Sequence, residues 1–310
     1  MSADVFLYKA DPVRGAEWAA LFARNAPQLE FAQWPFAGDP SRVRYLAAWM
    51  PPADLSCFPN LEVVFSVGAG IDQFDLSAIP PQVALARMVE PGIIDGMVEY
   101  VTLATLSIHR EWLAYRDQQR AGAWQARRVR PASTRRVGVM GLGVLAQAVL
   151  AQLCSLGFAC AGWSRSNHTV EGADCFSGAD ALPAFLARTD ILVCLLPLTE
   201  STRGILDRRL FAALPRGAAL IQCGRGAHLV QDALLEALES QQLSQAILDV
   251  CEPEPLPSGH AFWQHPQIML TPHIASMTQP ETAVDVVLDN IERHQSGRVL
   301  TGLVERERGY

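Results

Sequence analysis

The stretch from Arg136 to Ala146 constrains this chain more than any other. It reads Arg-Val-Gly-Val-Met-Gly-Leu-Gly-Val-Leu-Ala. A short apolar run with the pattern of a buried strand enters the turn Gly141-Leu142-Gly143-Val144-Leu145-Ala146, and a helical pattern over Val144–Leu156 leaves it. This is GxGxxA in a strand–turn–helix context. A glycine at 141 permits the tight turn, Gly143 lets a pyrophosphate approach the backbone, and the small Ala146 allows close helix–strand packing. The helix start supplies unpaired N–H groups and the positive end of the helix dipole. The segment therefore points to a dinucleotide site on an α/β framework.

The rest of the chain has the alternation that such a framework needs. Strand candidates in the first third are Val5–Tyr8, Val43–Trp49, Glu62–Val67 and Val83–Arg87, with a helical segment at Gly15–Asn25. A long helical pattern runs over about Gly96–Ala121 and is apolar nearly all round in its first half, which predicts burial. After the connector Pro131–Thr134, strands are expected at Arg136–Met140, Phe158–Trp163, Ile191–Leu195, Ala218–Ile221, Ala246–Asp249 and Gln267–Leu270. Strand–helix–strand alternation predicts parallel sheets covered on both faces. The expected class is α/β, two Rossmann-like parallel-sheet domains with a cleft between. The final helical stretch, about Glu281–Gln295, is expected to return to the first domain.

Composition removes other classes. With 310 residues, half of them hydrophobic, the chain can bury two cores. A net charge of −7 argues against general nucleic-acid or membrane-surface binding, which need a positive field. Arginines do gather at Arg110, Arg116, Arg120, Arg127, Arg128, Arg130, Arg135 and Arg136, and are read as a solvated helix face and connector. Lys9 is the only lysine, so no Walker-type loop, kinase site or Schiff-base lysine is expected. Seven cysteines without a Cys-x-x-Cys pair suit a reducing cytoplasm, and no signal segment or membrane-spanning run is seen. No metal-ligand spacing is present, so no metal is expected.

The strand after the glycine turn bears on cofactor choice. An NAD site usually carries Asp or Glu about 20 residues on, bonding the ribose 2′-hydroxyl. This one ends Gly162-Trp163-Ser164-Arg165-Ser166-Asn167-His168, with no carboxylate. Arg165 can meet a 2′-phosphate with its guanidinium fork, and Ser164 and Ser166 can donate hydrogen bonds. NADP(H) is therefore the expected cofactor, with NAD(H) possible. Three further motifs end candidate strands, the edge where open α/β sheets bind ligands. They are Ile221-Gln-Cys-Gly-Arg225-Gly226, Leu248-Asp249-Val-Cys-Glu-Pro-Glu254 and Leu270-Thr-Pro-His273-Ile-Ala-Ser276.

With these motifs the sequence resembles the D-isomer-specific 2-hydroxyacid dehydrogenases, and within them the glyoxylate/hydroxypyruvate reductase A branch. Ala48-Trp49-Met-Pro-Pro, Val67-Gly-Ala-Gly70-Ile-Asp72, Glu90-Pro-Gly92, Met97-Val-Glu-Tyr100 and Leu196-Pro-Leu-Thr199 extend the likeness over nearly the whole chain. The resemblance implies a discontinuous, flavodoxin-like substrate domain of residues 1–97 and 278–310, and a dinucleotide-binding domain of residues 98–277. It implies a catalytic Arg225, Glu254 and His273, and the chemistry of these groups agrees. Reducing a 2-keto acid needs a hydride and a proton. His273 can deliver the proton, Glu254 would favour its imidazolium, and Arg225 can bind the carboxylate and polarise the carbonyl. It places the cofactor against Gly141, Leu142, Gly143, Val144, Leu145, Ser164, Arg165 and Ser166. Leu196, Pro197, Thr202, Cys223, Gly224, Asp249, His273, Ala275 and Ser276 complete that set. It places the substrate against Trp49, Gly68, Ala69, Gly70, Arg225 and His273, with Trp49 narrowing the pocket toward two- or three-carbon acids. The implied activity is NADPH-dependent reduction of small 2-keto acids by a homodimer. The alternatives are a dehydrogenase of a bulkier D-2-hydroxy acid and a nucleotide-sensing corepressor on the same fold. Gln222, Gly224 and Glu90 depart from the residues most common in the family.

Overall fold

A computed structural model describes residues 3–306 and divides the chain into two compact units, Met1–Ile93 with Met277–Tyr310, and Ile94–Ser276. The first unit begins β1 (Val5–Lys9), α1 (Pro12–Asn25), β2 (Glu30–Gln33), β3 (Val43–Ala48), β4 (Val63–Ser66) and β5 (Ala84–Ala86). Its sheet has the order β2-β1-β3-β4-β5, parallel throughout. The central strands are buried on both faces, which is why they read as continuous apolar runs. Asp11 caps α1 by accepting from the Arg14 amide, 2.9 Å, and Pro12 occupies the first turn. Phe6, Trp18, Phe22 and Phe31 pack α1 against this sheet, with ring centroids of Phe6 and Phe22 4.4 Å apart.

The chain leaves this unit through α2 (Pro91–His109), followed by α3 (Trp112–Arg120). The sequence pattern predicts one helix here. The structure breaks it, because Glu111 takes a left-handed backbone, φ 55°, and no glycine or proline announces the break. The second unit continues β6 (Arg136–Met140), α4 (Val144–Ser155), β7 (Ala159–Ser164), β8 (Asp174–Ser177), α5 (Leu182–Ala187), β9 (Ile191–Cys194), α6 (Arg208–Ala213), β10 (Ala218–Gln222), α7 (Gln231–Glu239), β11 (Leu243–Leu248) and β12 (Ile268–Leu270). Its sheet runs β12-β11-β10-β9-β6-β7-β8, again all parallel. Strand order reverses between β6 and β9, so the crevice outside their carboxyl ends is the expected ligand position. Two apolar layers cover the sheet, one with Phe185, Phe211 and Phe262, the other with Val101, Val149 and Leu153.

The last helix, α8 (Pro280–Gln295), belongs to the first unit and packs on α1, as its late place in the sequence suggests. The segment after it returns to β5, where the Val304 amide donates to the Leu85 carbonyl, 2.9 Å. Glu90, fully buried, ties this unit together. Its carboxylate accepts from the Ile93 amide at 2.8 Å, the Gln279 amide at 3.1 Å and the Thr282 hydroxyl. One acidic side chain thus caps the start of α2 and holds the start of α8.

Candidate functional site

The glycine turn of the second unit has the shape a pyrophosphate needs. Gly141 has φ +95°, and a Cβ there would come within 2.8 Å of the Leu195 carbonyl oxygen, so only glycine fits. Gly143 caps α4, and a Cβ added to it would meet nothing within 4 Å. Open space therefore lies before a helix start with no side-chain cap, and a dinucleotide's phosphates fit there. Ala146 is buried as the close-packing residue. At the end of β7, Ser164 is buried and its hydroxyl donates to the Ser166 carbonyl, 2.7 Å, closing the turn. Arg165 and Ser166 are its exposed members. Thr202 donates to the Pro197 carbonyl, 2.7 Å, and accepts from the Thr199 amide, 2.8 Å, shaping the loop after β9.

Arg225, Glu254 and His273 all follow strands of this sheet at its carboxyl edge. His273 Nδ1 and Glu254 Oε2 are 2.8 Å apart. An ionised carboxylate only accepts, so Nδ1 carries the proton and Nε2 is left for exchange with a ligand. Partial burial works to raise the Glu254 carboxyl. The His273 contact, the Cys251 amide and the Arg225 charge outweigh it and hold the group below the ordinary glutamate value. His273 has a left-handed backbone, φ 55°. The Arg225 loop is braced by residues given no role in the sequence reading. Gln222 Nε2 donates to the Arg225 carbonyl, 2.8 Å, and the Arg225 amide donates to His228 Nδ1, 3.0 Å. His228 is fully buried and reaches the Pro197 carbonyl through Nε2, 3.2 Å. At Gly226 a Cβ would fall 1.9 Å from the Cys251 carbonyl oxygen, so the Arg225 and Glu254 loops touch backbone to backbone.

Trp49, Gly68, Ala69 and Gly70 lie in the first unit, at the ends of β3 and β4. The Trp49 indole covers Gly68, where a Cβ would come 3.0 Å from it. Buried Ser66 organises the loop, accepting from the Gly68 amide at 3.2 Å and donating to the Gly70 carbonyl at 2.9 Å. The Gly68 amide is thereby committed to Ser66, while those of Ala69 and Gly70 have no acceptor among the described residues. Lys9 steadies the neighbouring turn, donating to the Met50 carbonyl at 2.8 Å with its ammonium 5.9 Å from the Trp34 ring centroid.

The arginine-rich stretch lies elsewhere. Arg127, Arg130 and Arg135 line a cavity of about 490 Å³ at the opposite edge of the second unit's sheet, beside Asp190 and Ala218. Many of these charges are paired: Arg127 with Glu111, Arg116 with Asp117 at 3.1 Å, and Arg136 with Asp190 at 2.6 Å. Among the described residues no helix is long and apolar enough to cross a membrane, and no group of three metal-ligating side chains occurs.

The chain is similar to known proteins along most of its length. Residues 102–275 match the model of the D-isomer specific 2-hydroxyacid dehydrogenase NAD binding domain. A glyoxylate/hydroxypyruvate reductase A from Yersinia enterocolitica is 37% identical over 301 residues, 95% of this chain and 96% of that one. A D-isomer specific 2-hydroxyacid dehydrogenase from Xanthobacter autotrophicus Py2, solved with NADPH and MES, superposes with a TM-score of 0.95 at 36% identity over all of both chains. An NADPH-dependent glyoxylate/hydroxypyruvate reductase from Sinorhizobium meliloti, solved with NADP and sulfate, gives 0.90 at 35% identity, covering 99% of this chain and all of that one. Likeness of this depth along the whole chain, over a turn that fits a dinucleotide, means that the chain belongs to the D-isomer-specific 2-hydroxyacid dehydrogenases and is an NAD(P)H-dependent oxidoreductase.

Proposed function

We propose that this chain reduces small 2-keto acids with NADPH, glyoxylate to glycolate and hydroxypyruvate to D-glycerate. The observation that carries the reading is the His273–Glu254 pair, 2.8 Å apart, at the same sheet edge as Arg225. The nicotinamide supplies a hydride to the keto carbon. His273 delivers the balancing proton from Nε2 to the ketone oxygen. Glu254 holds the tautomer and stabilises the charged ring, and Arg225 binds the carboxylate and polarises the carbonyl. The Ala69 and Gly70 amides and the Trp49 indole, in the first unit, belong to this proposal as further substrate contacts. Preference for NADPH is supported by the exposed Arg165 and Ser166, the missing carboxylate in that turn, and the two relatives solved with NADPH and NADP.

The cofactor set of the glycine turn, the Leu196–Thr202 loop, Cys223, Gly224, Asp249, Ala275 and Ser276 belongs to the same proposal. So does a homodimer formed through residues 96–130, supported by Leu103, Trp112, Trp124 and Val129, each about two-thirds exposed or more. Seven free thiols suit a reducing cytoplasm.

The test is the absorbance of NADPH during turnover of glyoxylate, hydroxypyruvate, pyruvate and a bulky 2-keto acid, repeated with NADH. Fast use of the small acids with NADPH preferred is expected. Faster use of the bulky acid, or cofactor binding without any turnover, overturns the assignment.

A further inference from the structure

The loop carrying His273 is wrapped around a buried carboxylate. Asp249, only 2% exposed, follows β11. Its Oδ1 accepts from the Thr271 hydroxyl at 2.6 Å and the Ile274 amide at 2.8 Å, and its Oδ2 accepts from the Ala275 amide at 2.8 Å. Its main-chain carbonyl accepts from the His273 amide, again at 2.8 Å. The left-handed backbone of His273 turns the two following N–H groups inward, making the concave nest that suits an anion. That backbone is unfavourable for a histidine, and the carboxylate offsets it.

A second hydroxyl completes the arrangement. Tyr100, on α2, lies 2.6 Å from Thr271 Oγ1 through its phenol oxygen. Thr271 has a single hydroxyl proton, already given to Asp249, so Tyr100 must donate to Thr271. Burial pushes the Tyr100 phenol well above its ordinary range, so it keeps this proton. The order is one-directional, from Tyr100 to Thr271 to Asp249, and ends on the charge that polarises it. All four side chains belong to the second unit.

We propose that Tyr100 and Thr271 are positioning residues for His273, fixing the Asp249 carboxylate so that the loop presents the imidazole to Glu254 and to the reacting ketone in one geometry. This rests on the reading of His273 as proton donor. No proton is transferred along the chain of hydroxyls; its work is orientation. Asp249 is itself in the proposed cofactor set, so the test falls on the two residues behind it.

The experiment compares Thr271→Val, Thr271→Ser, Tyr100→Phe and the Thr271→Val/Tyr100→Phe double variant, with NADPH and the best keto acid. Thr271→Val is expected to lower kcat about tenfold or more while KM for NADPH stays within about twofold, and Thr271→Ser to restore most of the loss. Tyr100→Phe is expected to lower kcat about threefold, and the double variant to be no worse than Thr271→Val alone, since Tyr100 acts through Thr271. The His273 Nδ1–H proton resonance of the cofactor-free protein gives a readout without turnover. It should be sharp in the parent and Thr271→Ser, and broadened by exchange in Thr271→Val. An undiminished kcat and resonance in Thr271→Val, a serine no better than valine, or additive losses overturn the proposal. His273→Gln is measured beside them. If it is inactive while Thr271→Val is normal, only the positioning role fails; if it keeps full turnover, the proton-donor reading fails first.

Discussion

Glu254 is held between two opposing influences, partial burial and the imidazole it accepts from. The imidazole, with the Cys251 amide and Arg225, prevails, so the carboxyl stays ionised below its ordinary value of 4.5. The depressed value means that its contribution is present above pH 4.5 and is lost as pH falls through the folded-state value. Glu254→Gln should therefore lower kcat/KM by about 10²-fold throughout about pH 5 to 8, and the parent should show no Glu254 limb in that window. An undiminished kcat/KM across that window would take Glu254 out of the mechanism. At the adenosine end, Arg165→Ala should raise KM for NADPH about tenfold or more, with little change for NADH. Equal losses for both cofactors would refute the 2′-phosphate assignment. Arg165, Arg225, Glu254 and His273 were legible as candidates because each stands in a short motif at a strand end. Ser66 and His228 were not, because their partners are set by the fold and a single hydroxyl or imidazole carries no local pattern; Tyr100 stands in Met97-Val-Glu-Tyr100, but nothing in that motif points to Thr271.

Elements were legible in proportion to their burial. The central strands β6 and β9 are four or five residues long and almost wholly buried, and their apolar runs predict them almost to the residue. The edge strands β2 and β8 were missed. Both have four residues, mostly exposed or half-buried, so neither an apolar run nor an alternation marks them. The break between α2 and α3 left no trace either, since a glutamate rather than a glycine takes the left-handed turn. Where two loops meet, the constraint is steric. Gly226→Ala has to push the Cys251 carbonyl away from a Cβ that would lie 1.9 Å from it. Displacing the Arg225 and Glu254 loops by about 1 Å should cost about 10²-fold in kcat/KM. NADPH affinity, read by fluorescence titration, should fall less than kcat/KM, because the glycine turn and Arg165 lie on other strands and only Cys223, Gly224 and Asp249 of the proposed cofactor set stand on the displaced loops. Normal turnover in this variant would mean that the two loops part without consequence.

At the scale of the molecule, the chain builds one sheet, crosses to a second, and returns to finish the first. Both sheets could be foreseen from alternation alone; the return of α8 followed from its place after the last strand. The buried Glu90 cap fixes that return, and Glu90→Gln should cost the first unit roughly 2 kcal/mol, since it turns an acceptor into a donor facing amides. NADPH should stabilise the second unit selectively, by about 2.7 kcal/mol at 100 times its Kd. Urea unfolding followed by tryptophan fluorescence reads both, with Trp18, Trp34 and Trp49 in the first unit and Trp112, Trp124, Trp163 and Trp263 in the second. A single transition, moved up by the ligand and down by Glu90→Gln, would show that the units unfold together. The lone lysine has a consequence for handling the molecule. Lys9 is the one side-chain amine in 310 residues, and it is bonded to the residue beside Trp49. An amine-reactive dye under conditions that spare the N-terminus would therefore label one side chain, giving a single-site reporter of the turn beside Trp49 without any engineered cysteine among seven native thiols.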